Sequence, residues 1–255
     1  MAKKMSKKLS VSMSMLLYII TVIVNTLSAR GFINNSSQKA VSASFPTTIT
    51  PAGYAFSIWG VIYIMLFASL IILFLRIQRE DNFFVVEKLI PLFSLSCVFN
   101  IAWTFAFSYR LIWLSVIFII ALLTTVIIML NKSQKEKPNT LSLFDISLGI
   151  YAGWLFVATI VNISAFFVSI NFDMLETHKI IYAIIVALAV PLGLFLNKSF
   201  RNPFFHFAII WAFIAIMVAT NFASGFMPLF IVLVAGSTVL TIMAIIEIRK
   251  VNFKP

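Results

Sequence analysis

Residues 50–63, TPAGYAFSIWGVIY, open a long apolar run and carry the pattern that decides how the chain packs. On a helix, one face of this stretch carries three aromatic rings, at Phe56, Trp59 and Tyr63. Another face carries small residues that would let a neighbouring helix approach closely, at Gly53, Ser57 and Gly60. The stretch therefore predicts a helix with one face for a flat ligand and another face for packing.

The composition of the chain indicates a polytopic membrane protein. Of its 255 residues, 62% are hydrophobic and only 11% are charged, against roughly 25% charged in a soluble domain. The net charge of +11 would suggest nucleic acid as a partner if it lay on a soluble face. The basic residues instead lie between apolar runs, where they act as orientation signals. The single cysteine, Cys97, excludes a disulfide framework and a cysteine metal cluster.

Eight apolar runs, each near the ~20 residues that cross a bilayer, predict eight transmembrane helices. Only Tyr109 and Arg110 separate the third run from the fourth, which predicts a tight helical hairpin. The runs cover residues 11–29, 52–75, 89–108, 111–130, 141–164, 180–196, 204–221 and 226–246.

The distribution of Lys and Arg gives the predicted orientation. With the N-terminus inside, fifteen of the 19 basic residues fall in inner segments, and four fall in outer ones, at Arg30, Lys39, Arg110 and Lys179. Positive residues accumulate on the cytoplasmic side of short loops. We therefore expect an all-α, multi-pass protein of the cell (plasma) membrane with both termini in the cytoplasm.

Two segments each allow two interpretations. The Lys-rich start and the first apolar run, which ends in Leu27-Ser28-Ala29, resemble a signal peptide, but the run is longer than the usual 7–15 residues, which favours a retained helix. Residues 30–51 are rich in Ser, Thr and Asn and contain two prolines, Pro46 and Pro51. They form either a solvated linker or a lid over an outward-opening pocket.

The third and fifth runs repeat the aromatic pattern with an added amide. One helical face of the third run carries Ser96, Asn100, Trp103 and Phe107, and one face of the fifth carries Ser147, Tyr151, Trp154, Ala158 and Asn162. A buried amide in lipid needs a hydrogen-bond partner, so both Asn residues should point into the bundle. The alternative is that the amides only join helices and that the indoles belong to an interfacial belt. Three matched faces favour a shared cavity for a large planar apolar molecule.

The residues that are missing from the runs argue against several function classes. No Lys lies mid-span to form a retinal Schiff base, and no Asp or Glu lies mid-span to couple ions to transport. We expect His178 in an outer loop and His206 near an inner helix end, both at the membrane surface. Without clustered His, Cys or carboxylates, we expect no catalytic residue, no metal site and no enzymatic activity.

At these residues the chain resembles the translocator protein family, the tryptophan-rich sensory proteins (TspO/MBR). The family's second helix has a Pro-rich entry followed by aromatic residues, its third ends in Asn-x-x-Trp-x-x-x-Phe, and its fifth carries Tyr-x-x-Trp and a later Asn. The resemblance covers residues 11–170, which would form the family's five-helix bundle, and leaves residues 178–247 as a three-helix extension. The matching residues are Pro51, Tyr54, Phe56, Trp59, Tyr63, Asn100, Trp103, Phe107, Tyr151, Trp154 and Asn162.

The resemblance implies a protein that binds a tetrapyrrole- or sterol-like ligand through these residues, apart from Pro51, and has a sensory or regulatory role. A porphyrin or haem would be a ligand, and no cofactor is required. The Trp and Lys-Pro of the family's first loop are not recognisable between Arg30 and Pro51, which leaves the ligand's identity open. We expect the bilayer and a small hydrophobic ligand as partners, no nucleic acid, and a homodimer as an open alternative to a single copy. A transporter or permease for a small hydrophobic solute is the alternative function.

Overall fold

The computed structural model describes residues 2–79, 83–172, 180–221 and 226–253, which form a bundle of helices with one small pair of strands. A 3₁₀ turn, Gly53–Ser57, leads into α3, and a π-helical turn, Val85–Leu89, leads into α4. The helices are α1 (Ala2–Ala29), α2 (Gln38–Ser44), α3 (Ile58–Leu75), α4 (Ile90–Ser108), α5 (Ile112–Glu136), α6 (Leu143–Ser169), α7 (Ile180–Phe200), α8 (Pro203–Ala219) and α9 (Met227–Ile248).

The predicted all-α, polytopic membrane architecture is confirmed. Within the described residues, seven helices are long and apolar enough to cross a membrane. The run predicted at residues 204–221 corresponds to α8, which is apolar but has only 17 residues. The cytoplasmic placement of the termini stays a prediction, and His178 lies outside the described residues.

Helix α6 lies at the centre of the bundle. It packs against α5, α3 and α8, while α4 packs against α1 and α5, and α9 packs against α7 and α8. Its start is fixed by a capping box, in which Ser142 Oγ accepts from the backbone N–H of Asp145 and the Asp145 carboxylate accepts from that of Ser142. The predicted hairpin between α4 and α5 is also present, with Arg110 in the left-handed region at φ 60°.

Two glycines on α6 let α8 approach to backbone contact. A Cβ added at Gly153 would lie 2.2 Å from the carbonyl oxygen of Phe205, and one at Gly149 would lie 2.3 Å from Oδ1 of Asn202. Asn202 in turn donates from Nδ2 to the backbone oxygen of Asp145 at 2.7 Å. This agrees with a helix-packing role for the Gly149/Gly153 pair.

The predicted packing role of Gly60 is wrong within the described part of the chain. A Cβ added there would meet nothing within 4 Å, and the neighbouring Val61 and Ile64 are exposed. The reason is geometric, because Trp59 and Ile62 turn their faces into the bundle and leave the Gly60 face pointing outward.

The expected surface position of His206 is also wrong, because its side chain is fully buried. Its Nε2 lies 2.8 Å from Nδ2 of Asn197 and 3.4 Å from a carboxylate oxygen of Glu247. These three residues come from α8, α7 and α9, so the polar group joins the last three helices.

Helix α7 runs without interruption through Pro191.

Candidate functional site

An aromatic pocket lies where α3, α4 and α6 meet. Phe56 contributes from the 3₁₀ turn before α3, and Trp59 contributes from the start of α3. Trp103 and Phe107 contribute from the last turns of α4. The wall on α6 repeats at helical spacing and consists of Trp154, Val157, Ala158, Val161, Asn162 and Ala165. We call this set of side chains, with the covering residues described below, the aromatic pocket.

Three indole rings from three different helices meet in this pocket. The Trp59 ring lies 6.0 Å from the Trp103 ring and 6.3 Å from the Trp154 ring, measured between centroids. Phe107 stacks on Trp103 at 5.3 Å, and Phe56 meets the Trp154 ring edge at 6.0 Å. The sequence predicted that these faces would share a cavity, and the structure brings their rings together.

The polar atoms of the pocket are few. The Trp103 indole N–H donates to Oδ1 of Asn162 at 3.0 Å, and Asn162 Nδ2 donates to Ser115 Oγ at 2.9 Å. The indole nitrogens of Trp59 and Trp154 are buried and have no hydrogen-bond partner among the described residues. A buried N–H without a partner is costly, so each of these groups would gain from an acceptor.

The segment 30–51 covers the pocket. Its helix α2 is capped by Ser37, whose Oγ accepts from the backbone N–H of Ala40, and it buries Val41 against the bundle. Ser42, Phe45 and Pro51 complete the pocket wall. The segment is therefore packed over the pocket rather than solvated along its whole length.

With this cover in place the pocket is narrow. Its free volume is about 40 Å³, on a scale where one water needs about 10–15 Å³ and drug-sized ligands occupy about 300–1,000 Å³. A flat polycyclic molecule would need the cover, the rings or both to move apart.

A polar cluster lies beside the aromatic pocket and contains the second predicted amide. Asn100 accepts from Asn25 Nδ2 at 2.6 Å and donates to the Tyr151 hydroxyl at 2.7 Å. Asn25 Oδ1 accepts in turn from Thr104 Oγ1 at 3.1 Å and from Gln38 Nε2 at 3.2 Å. This polar cluster joins α1, α4 and α6, and through Gln38 it attaches the covering helix α2.

The ten predicted ligand-binding residues divide into two groups. The structure places six in the pocket wall: Phe56, Trp59, Trp103, Phe107, Trp154 and Asn162. The other four lie around it. Tyr54 contacts Trp211 of α8, Tyr63 stacks behind Trp59 at 5.4 Å, and Asn100 and Tyr151 bond within the polar cluster. Ligand contact at all ten residues stays a prediction.

Several residues of this region were not predicted from the sequence. Asn25 is a lone amide in the first apolar run, so the argument applied to Asn100 and Asn162 would have found it. Ser42 and Phe45 carry no comparable signal, because the segment that contains them is polar and irregular. Trp211 docks α8 on the start of α3 by donating to the carbonyl oxygen of Ala55 at 3.2 Å.

The pocket wall is mostly aromatic and apolar, with few polar atoms. The described residues contain no group of three or more His, Cys, Asp or Glu side chains that could hold a metal ion. The wall offers aromatic faces, one amide and two indole N–H donors, which suit stacking and orientation of a flat apolar molecule.

Comparison with known proteins gives one match. The family model for TSPO-like proteins matches residues 11–246, so the match extends beyond the motif-bearing helices and through α7, α8 and most of α9. No curated protein and no solved structure matches the chain significantly.

Proposed function

Because the chain belongs to the TSPO-like family of membrane helical proteins, we propose that it binds a planar hydrophobic ligand, tetrapyrrole- or sterol-like, in the aromatic pocket. The binding serves a sensory or regulatory role, and the ligand leaves unchanged.

The observation that carries the proposal is the meeting of Trp59, Trp103 and Trp154 around one pocket. Rings from separate helices offer several flat faces to the same molecule, which a single interfacial indole cannot do. The unpartnered N–H groups of Trp59 and Trp154 match a ligand that carries carboxylate, carbonyl or hydroxyl oxygens at its edge.

Binding in this site requires the pocket to widen, and in this proposal the cover is the part that moves. Helix α2 has only seven residues, and its polar attachment to α1 is the bond from Gln38 to Asn25 at 3.2 Å. Breaking a few such contacts releases Ser42 and Phe45 from the wall while the polar cluster of α1, α4 and α6 stays intact. The cover therefore acts as the gate, and the helices act as the fixed walls.

The proposal is tested by titrating the full chain, in nanodiscs, with protoporphyrin IX and following the porphyrin's own absorbance and fluorescence. We expect saturable binding, with affinity reduced about tenfold in Trp103→Ala because a large stacking face is lost. The matched control is Trp113→Ala, because Trp113 lies on α5 with 56% of its surface exposed and outside the pocket.

Unchanged porphyrin affinity in Trp59→Ala, Trp103→Ala and Trp154→Ala would refute the site. Competition by a sterol separates a general flat-ligand site from a tetrapyrrole site. Recovery of intact porphyrin after incubation in the dark is expected of a binding protein. Ligand flux into sealed vesicles would instead assign transport.

A further inference from the structure

A second cavity, of about 680 Å³, lies between the C-terminal ends of α7 and α9. It is separate from the aromatic pocket and shares no lining residue with it. Three of its lining residues are basic, at Lys198, Arg201 and Lys250, and we call this cavity the basic groove.

The local fold places these three cations at the C-terminal ends of α7 and α9. Lys198 lies in the last turn of α7, and Arg201 follows the helix in the left-handed region at φ 46°. Arg201 donates from Nη1 to Oδ1 of Asn139 at 3.2 Å. The residues after α9 are held by a short parallel strand pair, β1 (Thr140–Leu141) with β2 (Asn252–Phe253), which places Lys250 and Val251 at the groove.

Among the described residues that line the groove, the three cations outnumber the acidic side chains. None of the three cations forms an ion pair with a described residue. The one acidic lining residue, Glu247, is bound inward, with its carboxylate oxygens 2.8 and 2.7 Å from Nδ2 of Asn197. One of these oxygens also lies 3.4 Å from Nε2 of the buried His206. Three cations therefore line the groove against one carboxylate, so the groove keeps an excess of positive charge.

The remaining wall of the groove is mostly apolar, and part of it is exposed on the surface of the bundle. Leu194 and Phe195 on α7 and Met243 and Ile246 on α9 line it, and the Phe195 side chain is 72% exposed. A cavity with cations at a helix end and an apolar, membrane-facing wall matches an amphiphile with a negative head. Phosphate oxygens accept charge-assisted hydrogen bonds from Lys and Arg.

We propose that the basic groove binds an anionic phospholipid, with the headgroup phosphate held by Lys198, Arg201 and Lys250 and an acyl chain lying against Phe195 and Ile246. This site is independent of the ligand proposed for the aromatic pocket. In this proposal the C-terminal ends of α7 and α9 together bind one class of lipid.

The test compares the full chain with the variant Lys198→Gln/Arg201→Gln/Lys250→Gln. Both are reconstituted in vesicles of phosphatidylcholine with one fifth phosphatidylglycerol, extracted gently, and examined by native mass spectrometry for retained lipid. The matched control is Lys8→Gln/Lys132→Gln/Lys135→Gln, which removes three exposed positive charges outside the groove. Thermal unfolding in detergent checks that each variant is folded.

We expect the wild type and the control to retain phosphatidylglycerol over phosphatidylcholine, and the groove variant to lose about tenfold of that preference. Equal losses in the two variants would overturn the proposal in favour of general surface charge. No preference in the wild type would also overturn it. Displacement of the lipid by 10 mM inorganic phosphate, but not by chloride at equal ionic strength, would show a site for a soluble anion instead.

Discussion

The two faces of α6 illustrate two ways in which a helix meets its neighbours. On one face, Gly153 lies against the backbone of α8, and Gly149 lies against the side chain of Asn202, which caps α8. On the other, Trp154 and Asn162 face α3 and α4 across a pocket lined with rings. The same helix therefore closes one interface completely and leaves a gap in the other.

The difference follows from side-chain size and polarity. Where the interface residue has no side chain, helices approach until their backbones touch and no space for a ligand remains. Where large rigid rings meet, they hold the helices apart, and their flat faces leave a narrow space between them. Beside the rings, the polar cluster around Asn100 pairs its groups with one another, whereas two indole N–H groups of the pocket stay unpaired.

The largest effect is expected from Gly153→Ala, which puts a methyl group into the close contact between α6 and α8. The new methyl group would lie 2.2 Å from the Phe205 carbonyl oxygen, so α8 must shift. We expect a loss of about 2 kcal/mol in the free energy of unfolding, measured by denaturant titration in mixed micelles. Gly60→Ala is the control, because its methyl group meets nothing within 4 Å, and it should raise stability slightly, since Ala is the better helix former. Equal effects of the two substitutions would contradict this account of the α6–α8 contact.

The next largest effect is expected from Asn100→Leu, which tests whether the polar cluster contributes to stability rather than to ligand binding. It removes the partner of Asn25 and of the Tyr151 hydroxyl, and should cost about 1–2 kcal/mol of unfolding free energy. Porphyrin affinity should change less than twofold, because Asn100 does not line the pocket. Asn162→Leu, which changes the wall itself, is the comparison and should weaken porphyrin binding. A large loss of porphyrin affinity in Asn100→Leu would indicate that Asn100 takes part in ligand binding.

The smallest effect is expected from Trp59→Phe/Trp154→Phe, which keeps one aromatic ring at each position and removes both unpaired donors. The smaller rings cost packing, and the loss of two buried, unsatisfied N–H groups offsets part of that cost. Each substitution should therefore cost about 1 kcal/mol less unfolding free energy than Trp103→Phe, whose indole N–H is bonded to Asn162. Porphyrin affinity should fall about fivefold, since a hydrogen bond to a charged carboxylate edge is lost. A cost per substitution equal to that of Trp103→Phe, or an unchanged porphyrin affinity, would count against the two donors.

Much of the fold follows from local sequence patterns. Apolar runs of spanning length predicted the helices, because a backbone in lipid must satisfy its own hydrogen bonds. Helical spacing also predicted which faces of α3, α4 and α6 carry the rings, since side chains three and four residues apart lie together. The assignments of Gly60 and His206 failed because each depends on how the helix is rotated in the bundle. Spacing within one helix carries no information about that rotation.

The sequence by itself determined that this protein is a polytopic helical membrane protein with three faces rich in aromatic and amide groups. Only the tertiary structure decided that Asn162 belongs to the pocket and Asn100 to the polar cluster, and that Ser42 and Phe45 cover the site. The physical reason is that periodicity is a property of one helix. Which buried amide finds a partner, and which ring is left facing a gap, depends on how close the other helices come.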